Sequence, residues 1–157
     1  MAKRPPINST GEAVRIFAGA SRELPPPAHV SLDDCDWPYW HSVLSEFAKA
    51  DWTDHRLELA AMLARTMAAL EAEQRALRAE GFVMATSGGT MAANPRGRVV
   101  AALTGQILAL RRSLALHARG RSGDSRNDAA RRAAAKAMEG DFGDIVDIDD
   151  LLARPKH

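Results

Sequence analysis

Apolar residues recur along most of this chain at the three-and-four spacing of an amphipathic helix rather than in the alternation of a strand. A short helix is expected from Thr10 or Gly11 to about Arg22, with Val14, Phe17 and Ala18 on one face. It is bounded by Lys3-Arg4-Pro5-Pro6 and Pro25-Pro26-Pro27, which cannot lie in helix interior. Trp40, Val43, Leu44 and Phe47 form the next apolar stripe, ending before Asp51. Asp34 or Asp36 is placed to cap that helix, and Pro38 suits its first turn. Thr53 then caps a long helix to about Glu80, where Gly81 supplies the stop; that is ~27 residues or ~40 Å. Its apolar line reads Leu59, Leu63, Thr66, Leu70 and Leu77. Gly81 to Asn94 breaks the helical pattern, and Ser87-Gly88-Gly89 marks a turn between two short β-capable runs. Asn94-Pro95 opens a further helix carrying Val100, Leu103, Ile107, Leu110 and Leu114, expected to end around His117–Gly120.

Two long helices joined by a short connection should lie antiparallel. The fold class expected is therefore mainly α: a long antiparallel helical hairpin with a short β-like turn, smaller N-terminal helices and a flexible C-terminal tail. Residues 1–30 read as an irregular N-terminal segment, 31–118 as the helical core with an oligomerisation hairpin, and 119–157 as a basic linker and helix with an acidic tail. Within the last segment, Arg119 to Asn127 is polar and glycine-containing, and Asp128 to Glu139 is helical. A second line on the long helix is Ala60, Ala64, Ala68, Ala72 and Ala76, four apart. With the facing stripes forming the core, this line is expected to point outward or sideways. Its small side chains would let a second subunit approach closely, so the five alanines are the candidate oligomer interface.

Composition narrows the picture. Apolar residues make up 46% of the chain, but alanine supplies much of that share, so the core is thin and association would help it. Aromatics at 5% argue against a sheet protein. One cysteine, Cys35, allows neither an internal disulfide nor a cysteine zinc site, which fits a cytoplasmic location. No stretch is long and apolar enough for a membrane span, and the start does not read as a signal peptide. The net charge of +1 is unevenly spread. Residues 1–60 carry six Lys/Arg against nine Asp/Glu, residues 95–138 ten against two, and residues 139–157 two against six. A basic block between acidic ones points to an anionic partner for one face.

No enzyme is legible. Gly88, Gly89 and Gly97 are not followed by the Lys and Ser/Thr of a phosphate loop. His29, His41, His55, His117 and His157 show no metal-binding spacing, and His41 and His117 read as structural residues near apolar stripes. Cys35 has no adjacent nucleophile motif, and Asp33-Asp34 and Asp149-Asp150 read as cap and tail. No cofactor or metal is expected.

The order of elements over residues 25 to 118 resembles the small terminase subunit of tailed double-stranded-DNA bacteriophages. The residues that carry the resemblance are Pro26-Pro27-Ala28-His29-Val30-Ser31-Leu32 leading into Trp37-Pro38-Tyr39-Trp40, and Trp52-Thr53-Asp54 opening the long helix. Gly81-Phe82-Val83, Gly88-Gly89, Asn94-Pro95 and Leu110-Arg111-Arg112-Ser113-Leu114 follow in order. The resemblance implies a ring of about nine copies. Such a ring would act in the host cell cytoplasm, recognise double-stranded viral DNA, and load or regulate the large terminase subunit, which holds the ATPase and nuclease. Many relatives carry DNA-binding helices at the N-terminus, but here that region is net acidic. Charge instead selects Arg111, Arg112, Arg119, Arg121, Arg126, Arg131, Arg132 and Lys136 as DNA contacts. In the acidic tail, Ile145, Val146, Ile148, Leu151 and Leu152 are spaced to dock into a groove, and the resemblance makes the large subunit that partner. The alternatives are a helical DNA-binding regulator unrelated to packaging, which would run as a dimer, and a helical adaptor that binds no DNA.

Overall fold

The computed structural model describes the backbone over residues 10–85, 88–116 and 124–145, and side chains for these except 124–129 and 141–145. Its elements are α1 (Thr10–Ala20), α2 (Trp37–Leu44), a 3₁₀ turn (Lys49–Asp51), α3 (Asp54–Glu80), β1 (Val83–Ala85), β2 (Met91–Ala93), α4 (Arg96–Ser113) and α5 (Asp124–Ile145). These sort into two compact units, one drawn from Pro26–Glu46 and Thr53–Ala118, the other from the described parts of Met1–Pro25, Phe47–Trp52 and Arg119–His157.

The first unit is built on α3 and α4. Thr53 caps α3 as its sequence predicts, its hydroxyl accepting the Arg56 N–H at 3.4 Å, and Gly81 ends the helix at φ +88°. The two helices run antiparallel: Arg96 at the start of α4 meets Glu80 and Glu73 near the end of α3, while Arg56 near the start of α3 donates to the Leu114 carbonyl. Leu63, Leu77, Ile107 and Leu114 are buried between them or against α2, with Leu57 and Ala61. From α2, Trp40 and Val43 are buried. Asp36 precedes this helix but makes no cap bond; its carboxylate turns back to accept the Asp33 N–H at 2.9 Å, closing the preceding turn instead. The break after α3 is a two-stranded antiparallel hairpin pairing Val83 with Ala93, Met84 with Ala92 and Ala85 with Met91.

α4 stops at Ser113, earlier than the pattern predicts. Ala115 takes the left-handed conformation, φ +57°. The Ala115 N–H then donates to the Arg112 carbonyl at 3.0 Å and the Leu116 N–H to the Arg111 carbonyl at 2.8 Å. This is the paired closure usually built on glycine, so no glycine in the sequence announces it.

The second unit joins α1 and α5 around Ile16, Ala48 and Ala135, with Met138 packed on them. Val14 does not face this core as its spacing predicts; it is exposed, and Ile16 is the buried residue of α1. Gly19 allows the 3₁₀ turn to press on α1, for a Cβ there would lie 2.6 Å from the Ala50 Cβ. Phe47 and Trp52 are both buried and meet edge to face at 5.3 Å. Ion pairs close the unit. Arg15 reaches Asp51 at 2.8 Å, Glu12 at 2.9 Å and the Ala50 carbonyl at 2.8 Å, and Glu139 accepts the Lys49 N–H at 2.9 Å. α5 is longer at both ends than the Asp128–Glu139 read from sequence, and it runs through Gly140 without a break.

Candidate nucleic-acid interface

The positive block begins at α4, and its first arginine is committed to structure. Asn94 is buried, and every polar atom of its amide is used. Its Nδ2 donates to Glu80 Oε2 at 3.1 Å and to the Gly81 carbonyl at 3.0 Å, while its Oδ1 accepts the Arg96 N–H at 2.9 Å. Arg96 clamps Glu73 at 2.7 Å and Glu80 at 2.8 Å. The Asn94 amide and then Arg96 hold the Glu80 carboxyl below its usual range, and Glu73 and then Glu80 push the Arg96 guanidinium up.

Beyond this clamp α4 presents Arg98, Arg111 and Arg112 to solvent, and none of them forms an ion pair or side-chain hydrogen bond among the described residues. Arg98 and Arg112 are fourteen residues apart, close to four turns, so they share one side of the helix about 21 Å apart along its axis. Ala101, Gly105 and Leu108 lie between them on that side, all exposed. Arg111 and Arg112 sit in the last turn, where the negative end of the helix dipole favours a cation.

The arginines of α5 are placed differently. Arg131 reaches Glu12 at 3.6 Å, and the Arg132 guanidinium lies over the Phe47 ring at 5.1 Å, a cation–π contact. Both are half-buried within their unit, whereas Lys136 is exposed. Arg126 belongs to α5, but its side chain lies outside the described residues, as do Arg119 and Arg121 altogether. The structure thus sets Arg98 and Arg112 on one side of α4, with Arg111 about 100° round the helix from Arg112, and turns Arg131 and Arg132 inward. Arg98 is absent from the contacts selected on charge alone; its spacing from Arg112 was the signal for it. Arg65 on α3 is a further exposed arginine without a partner among the described residues.

The alanine line splits. Ala60, Ala64 and Ala68 are buried within the chain itself, so they do not point outward, because α3 packs against both α2 and α4. Ala72 is exposed and Ala76 half-buried. Of the docking residues, Ile145 ends α5, while Val146, Ile148, Leu151 and Leu152 lie outside the described residues. His41 is exposed rather than buried, its ring 5.6 Å from that of Trp37. Desolvation and then the Asp36 carboxylate push the Cys35 thiol up, which disfavours the reactive thiolate. Among the described residues no group of His, Cys, Asp and Glu is placed to hold a metal ion, and no helix is long and apolar enough to cross a membrane.

Comparison with known proteins extends the likeness seen over residues 25–118 to the full length. The chain is 27% identical over 157 residues to the terminase small subunit of Enterobacteria phage HK97, an alignment covering 99% of this chain and 98% of that protein. Residues 1–157 match the model of the Hendrixvirinae small terminase family, and the chain belongs to that family.

Proposed function

We propose that this chain recognises phage genomic DNA as a closed homo-oligomer and passes it to the large terminase subunit, within the DNA-packaging role that its family carries in the infected host cell. The observation that carries the DNA reading is the set Arg98, Arg111 and Arg112: three exposed guanidiniums on one helix, with no acid among the described residues to neutralise them. A guanidinium binds phosphate through two parallel hydrogen bonds, so such a set suits a duplex backbone and gives position rather than sequence. Lys136 and the arginines at 119, 121 and 126 add to it, and a ring multiplies contacts that are weak in one protomer. Arg131 contributes chiefly by tying α5 to Glu12 of α1, and Arg132 by its contact with Phe47.

The test is a charge reversal, Arg98→Glu with Arg111→Glu and Arg112→Glu. DNA affinity should fall, and the slope of log affinity against log salt should flatten by about 0.9 for each phosphate no longer neutralised. Oligomer mass and helix content should stay as in the wild type. An unchanged slope would place the DNA site elsewhere.

The oligomer surface begins on α3. Ala60, Ala64 and Ala68 let α3 sit close to its own neighbours, while Ala72 and Ala76 are left to another copy. Ala72→Trp should lower the mass measured by light scattering, and a wild-type monomer at micromolar concentration would defeat the ring. Contact with the large subunit is assigned to Ile145, Ile148, Leu151 and Leu152. Deleting residues 146–157, which spares α5, should leave the oligomer intact and abolish stimulation of the large subunit's ATPase.

A further inference from the structure

The hairpin between α3 and α4 carries a surface that nothing in its own unit covers. Residues 81–95 contain no Asp, Glu, Lys or Arg, in a chain where such residues make up 26%. All six strand residues are exposed. Phe82 is 70% exposed, Met91 65%, Val83 52% and Met84 41%. Proteins blunt exposed strand edges with lysine, proline or a bulge, and these two strands have none of them.

The hydrogen-bond pattern defines the free edges. The Asn94 N–H donates to the Phe82 carbonyl at 2.9 Å, so alternation along an antiparallel ladder makes Val83–Ala93 a pair without mutual bonds. The N–H and C=O groups of Val83 and Ala85 therefore point away from β2, and those of Met91 and Ala93 away from β1. The base of the ribbon is pinned by the Asn94–Glu80–Arg96 clamp, so these edges are held in a set direction on the helices.

We propose that a second copy of this chain covers the hairpin, its own hairpin meeting Phe82, Val83, Met84 and Met91. The inference rests on the homo-oligomer reading above and assigns part of its interface. An uncharged apolar ribbon has no attraction for phosphate, and its complement is an equally uncharged surface, which the same segment of another copy supplies. A ribbon also has two edges that differ. Contact between the β1 edge of one copy and the β2 edge of the next is head-to-tail, the kind of contact that closes a ring rather than a dimer. A two-stranded hairpin is marginal in isolation, and added strands would secure it.

The experiment uses the full chain. Phe82→Asp with Met91→Asp places two charges on side chains that are exposed in the single chain, so helix content by circular dichroism should not change. The concentration at which the oligomer dissociates should rise at least about tenfold, as for removal of a central apolar anchor. Val83→Pro deletes one outward N–H without touching the β1–β2 ladder and should weaken association in the same direction. In a Cys35→Ser background, Val83→Cys with Met91→Cys and a short bis-maleimide should give covalent multimers. Unchanged mass for both hairpin variants, with no cross-linking, overturns this proposal and leaves the oligomer reading standing. A monomeric wild type overturns both. Variants that keep their mass but fail to stimulate the large subunit overturn the second copy as occupant and give the patch to that protein.

Discussion

The two units of this chain are held together by different means. In the α3–α4 unit, segments that follow one another in sequence pack together, and the burial is mainly aliphatic: Leu57, Leu63, Leu77, Ile107 and Leu114, with Trp40. In the α1–α5 unit, three segments far apart in sequence meet over Ile16, Ala48 and Ala135, with Phe47 and Trp52 buried beside them. Charged ties supplement it, with Arg15 bridging Glu12 and Asp51, Arg131 on Glu12, and Glu139 on the Lys49 backbone. Partly exposed ion pairs near the surface contribute about 0–1 kcal/mol each, less than a buried leucine. The α1–α5 unit should therefore open first, and its Arg15, Arg131 and Arg132 are engaged in holding it.

Four measurements test that contrast, in falling order of effect. Leu63→Ala removes a fully buried side chain from α3 and should cost about 2–5 kcal/mol, seen as a lower midpoint in urea. Gly19→Ala forces a methyl against the Ala50 backbone and should cost about 1–3 kcal/mol. Its signature is regional: amide exchange should quicken in residues 10–20 and 124–145 while residues 54–80 stay protected. Equal quickening in both places would mean that the units do not open separately. Third, Glu12 and Glu80 are both held below the usual carboxylate range, Glu12 chiefly by its hydrogen bonds with Arg15 and Glu80 by Asn94 and then Arg96. For a lowered carboxyl the stabilisation is complete above the unfolded value, about 4.3, and is lost as pH falls through the lower folded values. Acid should thus loosen both units, and Glu80→Gln should flatten the loss for the hairpin base alone. Smallest is Ala115→Gly, which relieves a left-handed alanine and should raise stability by about 1 kcal/mol or less. A fall in stability there would mean that the Ala115 methyl packs against a neighbour that needs it.

The helix boundaries that the sequence states clearly are those with local chemistry behind them. Thr53, Gly81 and Asn94-Pro95 act through their own backbone and side chains, so the span of α3, the start of α4 and the turn between them can be read without any partner. The heptad stripe from Val100 to Leu114 is likewise legible, since Ile107 and Leu114 are buried and the other three are half-buried. The positive block, too, is visible as charge.

Tertiary structure decided the rest. Whether the alanine line faces inward depended on α2 packing against α3, and that burial took Ala60, Ala64 and Ala68. Which face of α1 is inner was set by the 3₁₀ turn and α5, so Ile16 is buried and Val14 exposed. The end of α4 turned on an alanine in a conformation that its own residue type disfavours. Above all, charge count could not separate Arg98, Arg111 and Arg112 from Arg131 and Arg132. A charge is a property of one residue, whereas its availability depends on what the fold brings beside it, and only in the folded chain do Glu12 and Phe47 lie against α5 while the outer side of α4 stays open.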